Sequence, residues 1–355
     1  MTTILAMIFV LVVLIFFHEL GHYLAARSVG IRVERFYVGF NLFGLGIKKK
    51  IGHTEYGLGL IPLGGYVKVA GIVDESMDTK LTGAKWEFQS KNSLQKIWFM
   101  SSGVLANLLL AVVIFASLTL ANGVAEADPS SVVGSLARDY PAVEAGIQNG
   151  DEITAINGES VSSWDELTDI IHARPGETIE VTWIRDGKTF QRVMETRATD
   201  TLVDDEIKTV GMIGIGPVVT TRPAGFGDVV VGGFALTKRW LVLTVKSLVM
   251  IITGKASLRD VGGPILIAQL AGQSAQSGFS ALLGLLAIIS INLALINILP
   301  IPALDGGHIA IVLIEAALRR SLSLRARMVV QQLGVVLLLT LIVVILYNDI
   351  MRIIR

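Results

Sequence analysis

"FFHELGHY", residues 16–23, closes a run in which every side chain from Ile4 to Phe17 is apolar. Two histidines and a glutamate thus fall within five positions of a stretch long enough to cross about 30 Å of hydrocarbon as a helix. Each ionisable group in such a helix costs about 2.5–3.5 kcal/mol even on the mildest insertion scale, so three together require a ligand or a partner. As a helix, His18 and His22 are four residues apart and share a face, while Glu19 lies one position on. This H-E-x-x-H spacing suits a zinc ion held by two neutral imidazoles, with a position left open for water and a glutamate to take the water's proton.

Outward from that stretch the chain keeps the composition of a membrane protein. Of its 355 residues 52% are hydrophobic and only 17% charged, a balance unlike that of a soluble enzyme of this size. Four segments have the length and apolarity of spanning helices: 4–26, 97–121, 279–302 and 329–347. The amino terminus lacks a basic n-region and a small-residue cleavage site, so residues 1–26 read as a retained transmembrane helix. Segment 226–252 is apolar too, but Lys238, Arg239 and Lys246 interrupt it.

Parity assigns that segment. The loop 25–96 carries eleven Lys/Arg against six acids, and Arg319, Arg320, Arg325 and Arg327 follow the third span. Four spans put both basic stretches inside, whereas a fifth would separate them, so 226–252 is expected to be an amphipathic helix on the outer membrane surface or against the bundle. Residues 125–222 then lie outside, with 18 acidic against 8 basic residues and turns at Asn157-Gly158 and Asp186-Gly187. Nothing in this charge pattern implies a nucleic-acid partner. There is no cysteine, so that outer domain must be held by its own core. Between the first two spans, residues 27–96 are expected to form a membrane-associated β region on the cytoplasmic face, with "TEYGLGLIPLGGYVKVAG" (54–71) as its strands.

A catalytic zinc needs a third protein ligand at the same depth as the histidines. "NILPIPALDGGH", residues 297–308 at the inner end of segment 279–318, offers Asp305. Pro300 and Pro302 prevent a regular helix there and Gly306-Gly307 loosens the chain further, which is tolerated at membrane depth where backbone lines a wet cavity. The first and third spans run the same way, so the three ligands can meet. His308 is the rival ligand. Asn297 is a candidate to hydrogen-bond a reacting carbonyl or the substrate backbone, or else packs between helices, and Asn107 in the second span has the same ambiguity. Asn292 reads as packing; His53 and His172 read as solvated. A zinc transporter would carry ligands at several depths, and a structural site would be closed by four protein ligands.

With these residues the chain resembles the site-2 protease family of zinc intramembrane metalloproteases, in its bacterial RseP-type form. The likeness rests on "HELGH" (18–22), "IPLGGYVKV" (61–69), Gly103 and Asn107, "GGPI" (262–265) and "NILPIPALDGGH" (297–308). It implies one Zn2+ ion on His18, His22 and Asp305, with Glu19 as general base. It implies four transmembrane helices, a membrane-dipping β-sheet and an inserted extracytoplasmic PDZ domain (α+β), with Gly134, Ser135, Leu136 and Ala137 along its peptide-accepting strand. The edge strand that draws substrate into an extended form is expected around Ile61, Leu63, Gly64, Gly65, Tyr66 and Val67. The implied partners are single-span membrane proteins, such as anti-sigma factors or remnant signal peptides, cut by a monomer in the bacterial cytoplasmic membrane during the envelope stress response, with the active site towards the cytoplasm. The sequence departs from the family pattern in having room for one PDZ domain rather than two, in Asn41 where a glycine is expected, and in Val104 where a proline is expected.

Overall fold

The computed structural model describes residues 2–40, 46–72, 82–203, 206–255, 257, 262–320 and 322–354; Asn41 lies outside the described residues. The chain divides into two compact units, residues 1–119 with 229–355, and residues 120–228.

The first unit holds α1 (Thr2–Ser28), α2 (Ser93–Asn122), α5 (Phe226–Ile252), α6 (Pro264–Ser277), α7 (Phe279–Ile298), α8 (Asp305–Leu318) and α9 (Leu324–Ile354). Four of them, α1, α2, α7 and α9, are long and apolar enough to cross a membrane. α1, α2 and α9 extend past the apolar runs that mark them in the sequence, because a helix continues through polar residues once its backbone bonds are in register, whereas α7 stops at Ile298, short of the expected 302, just before Pro300. α5 lies along the bundle. Gly233 lets it approach the Val112 carbonyl and the Ala116 side chain on α2, and Thr244 Oγ1 donates to Asn292 Oδ1 on α7 at 2.8 Å. α6, which the sequence pattern leaves unassigned, takes its N-terminal cap from a distant carboxylate: Asp349 on α9 accepts from the backbone N–H groups of Gly263 (3.0 Å) and Ile265 (2.9 Å). The bundle core packs Leu14, Leu110, Ile114, Leu286 and Ile291.

Following α1 comes a four-stranded sheet of β1 (Val33–Phe40), β2 (Gly46–Ile51), β3 (Thr54–Gly59) and β4 (Ile61–Val69). Its order is β2-β3-β1-β4, with β1 parallel to β3 and antiparallel to β4. β4 is therefore an edge strand. Aromatic contacts seat the sheet on α1: Phe16 and Tyr23 each meet the Phe36 ring edge-on, and the Tyr23 and Tyr56 hydroxyls are 2.7 Å apart.

The second unit is a small α+β body. It contains β5 (Val124–Ala127), β6 (Val133–Leu136), α3 (Pro141–Glu144), β7 (Glu152–Ile156), β8 (Glu159–Ser160), α4 (Trp164–His172), β9 (Thr178–Arg185), β10 (Lys188–Glu195), β11 (Arg197–Val203), β12 (Glu206–Met212), β13 (Ile215–Pro217) and β14 (Val219–Arg222). Asn157-Gly158 and Asp186-Gly187 both have positive φ at the two central positions, the type I′ geometry that joins β7 to β8 and β9 to β10. α4 is capped at Ser163, whose Oγ accepts from Glu166 N–H, while the Glu166 carboxylate reaches back to Ser162 N–H. Ile153, Ile179, Val181 and Trp183 fill the core against Leu167 of α4. Among the described residues of this unit the one deeply buried charge is Asp151, paired with Arg185 at 2.6 Å.

Candidate active site

Three side chains from two ends of the chain converge in the first unit. His18 Nε2 and His22 Nε2 are 3.2 Å apart, and Asp305 Oδ2 lies 3.4 Å from the former and 3.3 Å from the latter. A tetrahedral ion with bonds of about 2.0–2.1 Å holds its ligands about 3.3–3.4 Å apart, so these atoms have the spacing of one face of such a tetrahedron. The hydrogen-bond pattern suits a cation there. His22 Nδ1–H donates to the Phe99 carbonyl at 2.9 Å, which leaves Nε2 as a bare lone pair. Asp305 Oδ2 is buried with no hydrogen-bond partner among the described residues. Two acceptor lone pairs facing each other at this distance repel unless a cation or a proton lies between them. Among the described residues these three form the group of side chains able to hold a metal; His308, one turn further along α8, is not part of it.

α1 supplies two of the three candidate ligands because helical spacing puts positions 18 and 22 on one face. α2 crosses that face with Gly103. A Cβ built there would lie 2.6 Å from His18 Cε1 and 2.8 Å from His18 Nε2, and closer still to His22 Nε2, so only glycine leaves the imidazoles room. Ser102 Oγ donates to the Phe99 carbonyl that already holds His22. In the sequence Asn107 stands out as a polar residue within the second span and Gly103 by the family resemblance, whereas Phe99 and Ser102 carry no signal of a role at this site. Phe99 acts through its main chain, which carries no residue-type signal.

Asp305 arrives through a break in the third apolar helix. α7 ends at Ile298, Leu299–Leu304 is irregular with Ala303 at φ 77°, and Asp305 is the first residue of α8. A non-glycine residue in that region is held there by its surroundings at a cost of about 1–3 kcal/mol. Gly306 packs directly on the Ile298 and Leu299 carbonyls, and Gly307 on that of Ile301, so any larger residue would push the aspartate off the histidines.

A cavity of about 600 Å³ opens beside the three ligands, lined by Glu19, Gly65, Tyr66, Val67 and His308 among others. Glu19 is adjacent to His18, with the Val67 backbone N–H directed at its carboxylate. Gly65 allows β4 to come this close, since a Cβ there would meet Ile15, the Tyr37 carbonyl and Glu19 Cγ. Ile61, Leu63 and Gly64 belong to the same strand, but the side chains of 61–63 are outside the described residues and Gly64 is not a lining residue. Asn297, on α7, does not line the cavity either.

In the second unit the expected peptide-accepting strand needs correction. β6, carrying Gly134, Ser135 and Leu136, pairs with β13 along one edge, and on the other Val133 bonds to Gly150 and Asp151. The groove of this unit runs instead between α4 and residues 211–217, lined by Trp164, Leu167, Ile171, Ile213 and Ile215, and only Ala137 of the four expected residues reaches it.

Peptidase family M50 matches residues 6–341 of the chain. A protein of Clostridium perfringens named as a zinc metalloprotease is 34% identical over 342 residues, 95% of each chain. One of Agrobacterium fabrum bearing the same designation is 34% identical over 359 residues, 97% of this chain and 94% of the relative. Among solved structures, the PDZ domain of the SdrC-like protein of Listeria monocytogenes aligns at 26% identity over 26% of this chain and 92% of that domain, with a TM-score of 0.22. The chain belongs to peptidase family M50, the site-2 protease family. It is a zinc metalloprotease.

Proposed function

We propose that the protein is an intramembrane endopeptidase that cleaves single-span membrane proteins, with one zinc ion held by His18, His22 and Asp305. The observation that carries this is the convergence of three ligand atoms within 3.4 Å on or beside helices of spanning length. Bound there, zinc would supply an open coordination position and polarise a carbonyl. Glu19, one position from the first ligand and open to the cavity, takes a proton from the attacking water at its carboxylate and delivers it to the leaving nitrogen. β4 does the positioning. A peptide bond inside a helix is shielded by its own hydrogen bonding, and pairing along the free edge of β4 at Gly65–Val67 would hold the substrate extended beside Glu19.

The positive-inside charge pattern favours an inner-membrane placement with the active site towards the cytoplasm and residues 120–228 outside. That outer unit, read as a single PDZ domain, acts as a filter that admits substrates already trimmed outside, such as an anti-sigma factor of the envelope stress response or a remnant signal peptide. Removing 126–220 should broaden the substrate range, whereas loss of all cleavage would point to recruitment. The decisive test of the chemistry is Glu19→Gln in membranes carrying a tagged single-span substrate. Cleavage should vanish with zinc still bound at one per chain, and retained turnover would rule out the proposed base.

A further inference from the structure

α2 presents Phe99, Gly103 and Asn107 to the histidine face of α1, each four residues from the next and therefore on one stripe. The first binds His22 and the second makes room; the third has no role so far. Asn107 is fully buried. Its Nδ2 lies 3.3 Å from His18 Nδ1, while its Oδ1 has no partner among the described residues.

For His18 to present the Nε2 lone pair beside those of His22 and Asp305, its ring proton must sit on Nδ1, and that N–H needs an acceptor. An amide nitrogen is not one. Turning the Asn107 amide by 180° about its last bond leaves its shape unchanged and places Oδ1 opposite Nδ1–H. We propose that Asn107 is a positioning residue for the metal site: its Oδ1 accepts from His18 Nδ1–H and so fixes the tautomer and ring plane in which His18 binds the ion. This rests on the zinc-site reading above. Helix packing does not account for the side chain, because α7 is tied to this position through the main chain, with Ser290 Oγ donating to the Asn107 carbonyl at 2.8 Å.

The test is zinc affinity of the purified full-length protein, measured by chelator competition. Asn107→Leu keeps the shape without an acceptor and should weaken zinc binding about 10–100-fold; Asn107→Asp keeps an acceptor and should bind near the wild-type value. Metal-free thermal unfolding of the leucine variant should match wild type. A packing role predicts the reverse order, with leucine tolerated and the buried aspartate harmful, and that result would overturn the proposal. If the leucine variant does not fold, Asn107→Ala serves, and wild-type zinc affinity in it would be equally contrary. His18→Ala and Asp305→Ala in the same assay separate the two readings: if both still bind zinc normally, it is the metal site, and not the role of Asn107 alone, that is wrong.

Discussion

In residues 120–228 the side chains shut away from the surface are mostly apolar, Ile153, Ile179 and Trp183 among them; Ser131 and Thr196 are the polar exceptions among the described residues, and the buried Asp151 is paired. The other unit differs at both surfaces. Asn107 and Ser290 are completely buried there, while Ile4, Leu109, Leu333 and Val343 are 61–65% exposed. An apolar rim of this extent suits hydrocarbon surroundings, in which polar groups would find partners only by turning inward. The bundle interior thus brings together the side chains able to hold a metal, whereas the interior of the smaller unit is chiefly an apolar core.

Substitutions can break that contrast in a graded way. The largest effect should come from Gly103→Ala, whose methyl group occupies the space between the imidazoles: zinc binding should be lost with helical circular dichroism unchanged, and a variant that binds zinc normally would show that the ligands meet elsewhere. Next is Trp183→Ala, which should destabilise the smaller unit by about 3–5 kcal/mol, seen as faster hydrogen exchange confined to residues 120–228 with zinc affinity intact. Asp151 gives the pH response. Burial alone would raise its pKa, but the Arg185 ion pair and the Gln148 N–H outweigh it and hold the carboxyl below the ordinary range. A depressed pKa stabilises the fold above the unfolded value of about 3.9 and ceases to as pH falls towards the folded value. Asp151→Asn should therefore cost about 2 kcal/mol at neutral pH and flatten the acid limb of exchange in that unit. The smallest effect is expected from Leu339→Ala, more than half exposed on α9, which should stay within about 0.5 kcal/mol in detergent, against about 2–5 kcal/mol for Leu286→Ala in the bundle core.

What could be read from the sequence follows from how local each signal is. His18 and His22 are legible because one helix turn relates them, and Asp305 because a carboxylate among prolines and glycines beside an apolar run is unusual. The type I′ turns are legible because Asn-Gly and Asp-Gly suit two positive φ values. The role of β6 was not, since its partners lie both near, at 150–151, and about 80 residues away in β13, and strand composition does not say which edge remains free. α6 was missed because its cap comes from Asp349, far along the chain. Asn107 could be placed in a span, but the residue its amide meets depends on how α2 crosses α1, which periodicity within α2 does not encode.

The central claim is that one ion is shared by the histidine pair of α1 and the aspartate that opens α8. X-ray absorption at the zinc edge on the purified protein tests it most directly. The account predicts one zinc per chain with two imidazole nitrogens and a carboxylate oxygen at about 2.0–2.2 Å, and a spectrum that loses the oxygen contribution of that ligand in Asp305→Ala. A zinc spectrum unchanged by that substitution, or a protein that binds no zinc, would contradict it.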